Sequence, residues 1–325
     1  MVSGNISGEK IIVTGAAGFI GSHIVDTLLE MDNEVIGIDN FYNGRQENLT
    51  SALKSAHFKL LRGDVRDYDF LLEQFRGVDI IFHEAAFTSV PQSILMPQAC
   101  NQVNVDGVLN VLNAARRNDV KKIVFASSSS VYGDTPTLPK HEDMPLVPIS
   151  PYGVSKLAGE MYFRVYHKVY GLNTSCLRYF NVFGPRQRDS SYSGVIAIYF
   201  GKIARREPLN IFGDGTQSRD FTFVKDVVGA NILAVNEPKA IGETFNIGAG
   251  SPITLNDLAK TMLDVTGHTE LQIHHQNPRP GDILHSFGDI TKARKYLKYQ
   301  PQYNIRTGLE NYLQYLDENF AEKAI

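Results

Sequence analysis

Three glycines at positions 15, 18 and 21, in the heptad GAAGFIG, separate a β-rich run from a helical one. KIIVTG (10–15) reads as a short strand that ends in glycine. AAGFIGSHIVDTLLEM (16–31) follows at once, with Ile20, Ile24, Leu28 and Met31 on one helical side. A strand that turns so tightly into a helix must let the two pack closely, and that is the residue-level use of the glycines. EVIGID (34–39), FKLLRGD (58–64), DIIFHEAA (79–86) and KKIVFASSS (121–129) are further apolar strands. Helical stretches near 68–76, 97–118 and 151–170 lie between or after them. The strands are apolar throughout rather than alternating, which predicts burial on both faces. The rhythm predicts an α/β fold with a doubly wound parallel sheet.

After about residue 180 the rhythm breaks. Arg, Gln, Gly and Asp become common in FGPRQRDSSYSG (183–194) and IFGDGTQSRD (211–220), and GETFNIGAG (242–250) reads as one late strand. The expected organisation is a dinucleotide-binding domain of Rossmann type, 1–180 with about 221–250. About 181–220 and 251–325 would form a smaller α/β substrate-binding domain, with the ligand cleft between them.

The totals exclude several classes. The 325 residues are 43% hydrophobic and 21% charged, enough for a large core and too apolar for disorder. A net charge of −3 gives no basic field for nucleic acid. Cys100 and Cys176 are the two cysteines, so neither a disulfide framework nor a CxxC metal pattern exists. His274 and His275 are adjacent and cannot share a helix face, and no metal site is expected. MVSGNISGEK lacks an apolar signal core, and no run is long enough to span a bilayer. The expected setting is cytoplasmic.

A Gly-rich heptad alone is weak. Here it follows a strand, opens a helix and is followed by Asp39 at the end of the next strand, the context a dinucleotide fingerprint requires. Gly15 permits the turn, Gly18 lets backbone N–H groups approach a pyrophosphate, and Gly21 lets helix and strand meet. The helix N-terminus adds partial positive charge. Asp39 would accept from ribose hydroxyls and repel a 2′-phosphate, which favours NAD over NADP.

At the other end, SSSS (127–130) closes the fifth strand, at the sheet edge that lines the cleft. In SPYGVSK (150–156), Ser150 suits a helix N-cap and Pro151 the first helical position. Tyr152 and Lys156 then share one face at i and i+4, and no other Tyr here has Lys four residues on. Lowering a phenol from about 10 by about 3 units takes roughly 4 kcal/mol. One cation about 4 Å away supplies about that at an effective dielectric of 20. Tyr152 can thus act as a general base toward an alcohol, with Lys156 as its electrostatic partner and Ser128 bonding the same oxygen.

GxxGxxG, the strand-end Ser run and YxxxK, in this order, resemble the extended short-chain dehydrogenase/reductase family, and within it the nucleotide-sugar 4-epimerases. DNFYNG (39–44), GDVRD (63–67), HEAAFTSVPQS (83–93), NVDG (104–107), SSSSVYGD (127–134), LRYFNVFGPRQ (177–187), IFGDGTQSRDF (211–221) and RPGDILHS (279–286) carry the same likeness. It spans nearly the whole chain. The resemblance implies NAD held by Gly15, Gly18, Phe19, Ile20, Gly21, Asp39, Asn40, Asn43 and Gly44. It puts Asp64 and Val65 at the adenine and Ala85, Ala86 and Thr88 along the pyrophosphate and ribose. Asn104 would approach the cofactor ribose and Tyr179 the nicotinamide, with Tyr152 and Lys156 completing the set.

For a UDP-sugar it implies Ser89, Ser128, Ser129, Ser130 and Tyr152 near the hexose and Asn181 at the diphosphate. Val195, Leu209 and Ile211 would border the uracil, Arg219 and Arg279 would hold the diphosphate, and Asp282 would meet the uridine ribose. Two guanidinium forks on a diphosphate make physical sense. Related 4,6-dehydratases carry an Asp-Glu pair where this chain has Ser129 and Ser130, so dehydration lacks its acid and base. Related decarboxylases carry a Glu in this region, also absent here. The implied reaction is NAD-dependent 4-epimerisation of a UDP-hexose, as in galactose metabolism. The resemblance places Ser286 beside the C2 substituent, where a small residue leaves space for an acetamide. Arg188 leaves a UDP-glucuronate 4-epimerase open, although Asn181 favours neutral sugars, and a non-catalytic NAD sensor is a third reading. Family members also dimerise through helices corresponding to 97–118 and 151–170, which implies a homodimer.

Overall fold

The computed structural model describes residues 6–187, 194–278 and 283–320. Seven parallel strands form the central sheet: β1 (Lys10–Thr14), β2 (Glu34–Asp39), β3 (Phe58–Arg62), β4 (Ile80–His83), β5 (Lys122–Ser128), β6 (Thr174–Tyr179) and the strand Glu243–Ile247. Their spatial order is β3-β2-β1-β4-β5-β6, with Glu243–Ile247 outside β6. Strand order reverses between β1 and β4, so a crevice opens there at the carboxyl ends. This is the doubly wound Rossmann architecture expected.

Helices cover both faces. α1 (Phe19–Glu30) packs against one, and α2 (Tyr68–Gln74) lies on the other. α3 (Val90–Leu95), α4 (Pro97–Asn101) and α5 (Gly107–Arg117) precede the 20-residue α6 (Pro151–Tyr170). One core joins Val13, Ile24, Leu28, Phe82, Leu177 and Phe245; the other joins Ile12, Leu71, Ile81, Leu112, Phe125 and Phe163. Both faces are therefore dry over the middle strands. β3 departs from the expected pattern: Lys59 and Arg62 are exposed. It is an edge strand, where charge blunts unpaired backbone groups. The expected helix over 97–118 is also interrupted, because Gln102–Asp106 forms a π-helical turn between α4 and α5.

Beyond β6 the chain leaves the sheet for α7 (Val195–Ala204) and the strand Leu209–Phe212. It returns as α8 (Val224–Asn236) and Glu243–Ile247, then leaves again for α9 (Leu255–Thr266), α10 (Thr291–Leu297) and α11 (Ile305–Phe320). Phe183, Phe200, Leu209, Ile211, Leu258, Met262 and Leu309 build a separate core there. Two short strands, Ser218–Arg219 and His285–Ser286, lie side by side and bring Ser286 level with Arg219.

A buried polar network underlies α6. Arg178 on β6 donates to Glu160 on α6 through Nε (2.9 Å) and Nη2 (2.7 Å), and Ser127 on β5 donates to the same carboxylate. Nη1 of Arg178 reaches the Tyr132 hydroxyl at 2.7 Å, which donates to Asn246 Oδ1. Both charged side chains are almost fully buried. Removing either partner of such a pair costs about 3–5 kcal/mol, because the other charge is left dry and alone. The network fixes α6 against β5 and β6, one helical turn past Lys156.

Candidate active site

The glycine loop closes against β4. Gly15 has φ +70°, and a Cβ there would stand 2.7 Å from the Ala85 nitrogen. At Gly21 it would stand 2.2 Å from the Gly15 carbonyl oxygen, so helix and turn touch through backbone alone. α1 then starts at Phe19 with no side chain capping it. Phe19 and Ile20 stand in its first turn, whose N–H groups have no partner from within the helix. This cradle fits a dinucleotide pyrophosphate.

Asp39, expected at the ribose, accepts from the Ala17 amide at 2.9 Å and the Phe41 amide at 2.7 Å, and so fixes the glycine loop. Burial pushes its carboxyl up. Gly44 abuts that carboxylate, and Asn43 is exposed beside it. Asn40 donates to Asp64, which also takes a two-pronged contact from Arg66 at 2.9 and 2.7 Å. Those donors hold the Asp64 carboxyl well below the usual range. Asn110 on α5 ties down the Val65 carbonyl. Arg66 and Asn110 were not singled out from the sequence.

Asn104, expected at the cofactor ribose, sits in the π turn and spends its amide on protein. It accepts from the Phe87 amide at 2.7 Å and donates to the Phe87 carbonyl (3.0 Å) and Ser155 (2.9 Å). It therefore shapes the 85–89 loop that carries Ala85, Ala86, Thr88 and Ser89. Ser89 caps α3, and Ser93 on α3 accepts from the Tyr152 amide at 3.2 Å.

Ser150 caps α6 by accepting from the Gly153 amide, and Pro151 takes the first helical position, as the sequence predicts. Gly153 lies so close to the Ser130 carbonyl that a Cβ would stand 2.7 Å from it. α6 thus begins directly over the end of β5. Ser128 caps the turn holding Ser129 and Ser130: its Oγ accepts from the Ser130 amide and donates to the Ser130 hydroxyl, both at 3.1 Å, and it stands close enough to the Tyr152 phenol to favour the phenolate. Lys156 is 3% exposed; its Nζ donates to the Ala126 carbonyl at 2.7 Å and lies 5.9 Å from the Tyr152 ring centre.

Burial shifts both partners of the i, i+4 pair, a cost that their spacing does not show. Burial pushes Tyr152 up to about 12, with the nearby Ser128 hydroxyl opposing it, and pushes Lys156 down to about 8. Desolvation outweighs the single cation. A second positive charge is needed, and the oxidised nicotinamide ring is the one the cradle implies. Tyr179 is buried beyond Ser128 on the neighbouring strand, with its hydroxyl bonded to Glu84 and Asn231.

On the far side, Asn181 has φ +30° and donates to the Asp220 carbonyl at 3.0 Å. Arg219 donates to the Ser218 and Leu284 carbonyls, and Val195 opens α7. Leu209 and Ile211 are fully buried in the outer core, so their side chains back the wall and do not face a base. Arg188, Arg279 and Asp282 lie outside the described residues. Among the described residues no cluster of metal-ligating side chains forms, and no helix is long and apolar enough to cross a membrane.

A glycine cradle, a carboxylate at the end of the next strand, and a half-buried Ser128 and Tyr152 beside the buried Lys156 define a dinucleotide-dependent enzyme of alcohol–ketone chemistry. The NAD dependent epimerase/dehydratase family model matches residues 11–248, and the chain belongs to that family. It is 41% identical over 303 residues to a UDP-glucose 4-epimerase of Mycolicibacterium smegmatis, covering 92% of this chain and 96% of that one. A UDP-N-acetylglucosamine 4-epimerase from Methanobrevibacter ruminantium, solved with UDP-N-acetylmuramic acid, superposes with TM-score 0.93 at 37% identity, covering 97% and 100%. A UDP-glucose 4-epimerase from Thermotoga maritima with UDP-glucose gives 0.90 at 37%, covering 95% and 99%.

Gly15→Ala puts a methyl into the Ala85 backbone at a φ that alanine rarely adopts. The purified variant is expected to retain less than about a tenth of the wild-type NAD, a loss of more than roughly 1.4 kcal/mol. Dinucleotide released on denaturation measures this, and full retention would remove Gly15 from the cradle.

Proposed function

We propose that this chain interconverts the C4 epimers of a UDP-hexose through a transient 4-keto sugar, with NAD kept bound. The observation that carries the reading is Tyr152, flanked by Ser128 and Lys156, beside the glycine cradle, with serines at 129 and 130. NAD, when bound, supplies a hydride acceptor next to the sugar that turns donor for the return step. Tyr152 takes the proton of the 4-hydroxyl and gives it back. Ser128 orients both oxygens, and Lys156 holds positive charge below the phenol. Ser129 and Ser130 supply no carboxyl to expel the C6 hydroxyl, so the keto sugar has reduction as its exit. Arg219, with Arg279 and Asp282, would anchor the nucleotide while the hexose turns over.

In this reading the sheet with α1–α6, α8 and Glu243–Ile247 is the NAD domain, and the segments around the outer core form the sugar-nucleotide domain. Ser286, level with Arg219, would border the C2 substituent. UDP-glucose, UDP-galactose and their N-acetyl counterparts are the proposed substrates; the first pair would place the enzyme in galactose metabolism. Two buried free thiols, Cys100 and Cys176, support a cytoplasmic setting. A homodimer is supported by an apolar stripe along α6, where Val154, Met161, Val165 and Val169 are 42–65% exposed.

Tyr152→Phe should lower turnover of UDP-glucose by about 10²–10⁴ while NAD stays bound; wild-type turnover would remove Tyr152 from the mechanism. Ser286→Tyr should abolish conversion of UDP-N-acetylglucosamine and spare UDP-glucose, in a parallel assay of both. Equal loss on the two sugars, or none, would sink that assignment. Val165→Glu should halve the mass seen by sedimentation if α6 carries the dimer, and an unchanged mass would move the interface elsewhere.

A further inference from the structure

Glu84 has no part in the reading above, although it stands at the reaction centre. β4 ends at His83, whose partner on β5 is Phe125. Glu84 is therefore level with Ala126, and the Ala126 carbonyl is where Lys156 is anchored, at 2.7 Å. The two side chains approach that strand edge from opposite faces. Lys156 comes from α6, over the Phe125 ring at 5.0 Å. Glu84 turns toward the α8 side, where it meets Tyr179.

The Tyr179 hydroxyl fixes the carboxylate. Asn231 Nδ2 donates to that hydroxyl at 2.8 Å and is itself aimed by the Val227 carbonyl. The single phenolic proton then goes to the nearer of two acceptors, Glu84 Oε1 at 2.9 Å, rather than Asn231 Oδ1 at 3.1 Å. The ionisable groups coupled to Glu84 are Lys156 and Tyr152 from α6 and Tyr179 from β6; Lys156 is also acted on by Cys100 from α4 and Glu160 one turn along α6, and itself acts on His83, the residue before Glu84. Of the charges acting on Lys156, Glu84 is the strongest.

We propose that Glu84 is a positioning residue for charge: its carboxylate holds the proton on Lys156, and through Lys156 and its own field on the phenol it sets the pH range over which the Tyr152–Lys156 pair works. This rests on Tyr152 and Lys156 being the reacting pair. Burial already brings Lys156 down to about 8 with Glu84 in place, and burial raises Glu84 itself to about 7. An opposite charge at such a site holds a group's proton by about one pH unit or more. Glu84 also opposes ionisation of Tyr152. Its removal therefore moves both titrations the same way, to lower pH. A purely structural loss would lower the rate at every pH and move neither.

The test is Glu84→Gln, with the fold checked by thermal unfolding. In ¹³Cε-lysine NMR of the full chain, the signal lost in Lys156→Arg reports Lys156. Its midpoint is expected to fall by about one pH unit in Glu84→Gln, and both limbs of the kcat/KM profile for UDP-glucose should follow. An unchanged midpoint overturns the proposal. A midpoint that falls while the profile stays put leaves the Glu84–Lys156 coupling standing and overturns the part of Lys156 in the reaction. Should the variant not fold, the unaltered chain decides. The Glu84 ¹³Cδ and Lys156 ¹³Cε titrations must then each show the other's inflection, and two independent curves overturn the coupling.

Discussion

Desolvation of one ammonium governs this structure. Lys156 is dry, anchored on a strand carbonyl, and set beside a phenol that burial makes harder to ionise. Such an arrangement is unfavourable unless the scaffold holds it in place. The Glu160–Arg178 pair supplies that hold one helical turn on, with Ser127, Tyr132 and Asn246 taking up the remaining hydrogen bonds. β5, β6, α6 and the strand Glu243–Ile247 are thereby tied together beneath the reaction centre. A centre that must stay dry in order to act is best placed over a network that has no slack.

The cofactor side follows a different logic. There the groups proposed to meet the dinucleotide are mostly backbone: the glycine turn, the uncapped start of α1 and the 85–89 loop. Side chains serve to hold that backbone still. Asp39 pins the Ala17 and Phe41 amides, and Asn104 pins Phe87. Site residues of this kind act at one remove. Replacing them misplaces a loop before it removes a contact.

This division explains what the sequence made legible. Strand–glycine–helix order, the Asp39 position and the Ser150-Pro151 start of α6 are local, and each could be read from a few adjacent residues. The edge character of β3 and the π turn at 102–106 depend on neighbours far along the chain. Glu160, Arg178 and Glu84 are single charged residues in otherwise ordinary contexts, and their meaning exists only once β4, β5, β6 and α6 are side by side. Leu209 and Ile211 show the converse. They were assigned to ligand contact through resemblance, yet alternation along Leu209–Phe212 turns them into the outer core. The attraction between phenol and ammonium is legible in the i, i+4 spacing, but the burial that opposes it exists only once the sheet and α6 are packed.

The same accounting bears on why the keto sugar is reduced rather than rearranged. A carboxyl pair at 129 and 130 would sit at the end of β5, next to Tyr152 and within the field of Glu84. Each added anion there would oppose the phenolate that starts the reaction. Serines keep the strand end polar without that charge, and the Ser128 cap fixes their backbone in one turn. With one carboxylate already committed to Lys156 from the opposite face, the strand edge holds one cation and one anion. Serine at 129 and 130 leaves that balance undisturbed and leaves the keto sugar without the acid and base that loss of its C6 hydroxyl requires.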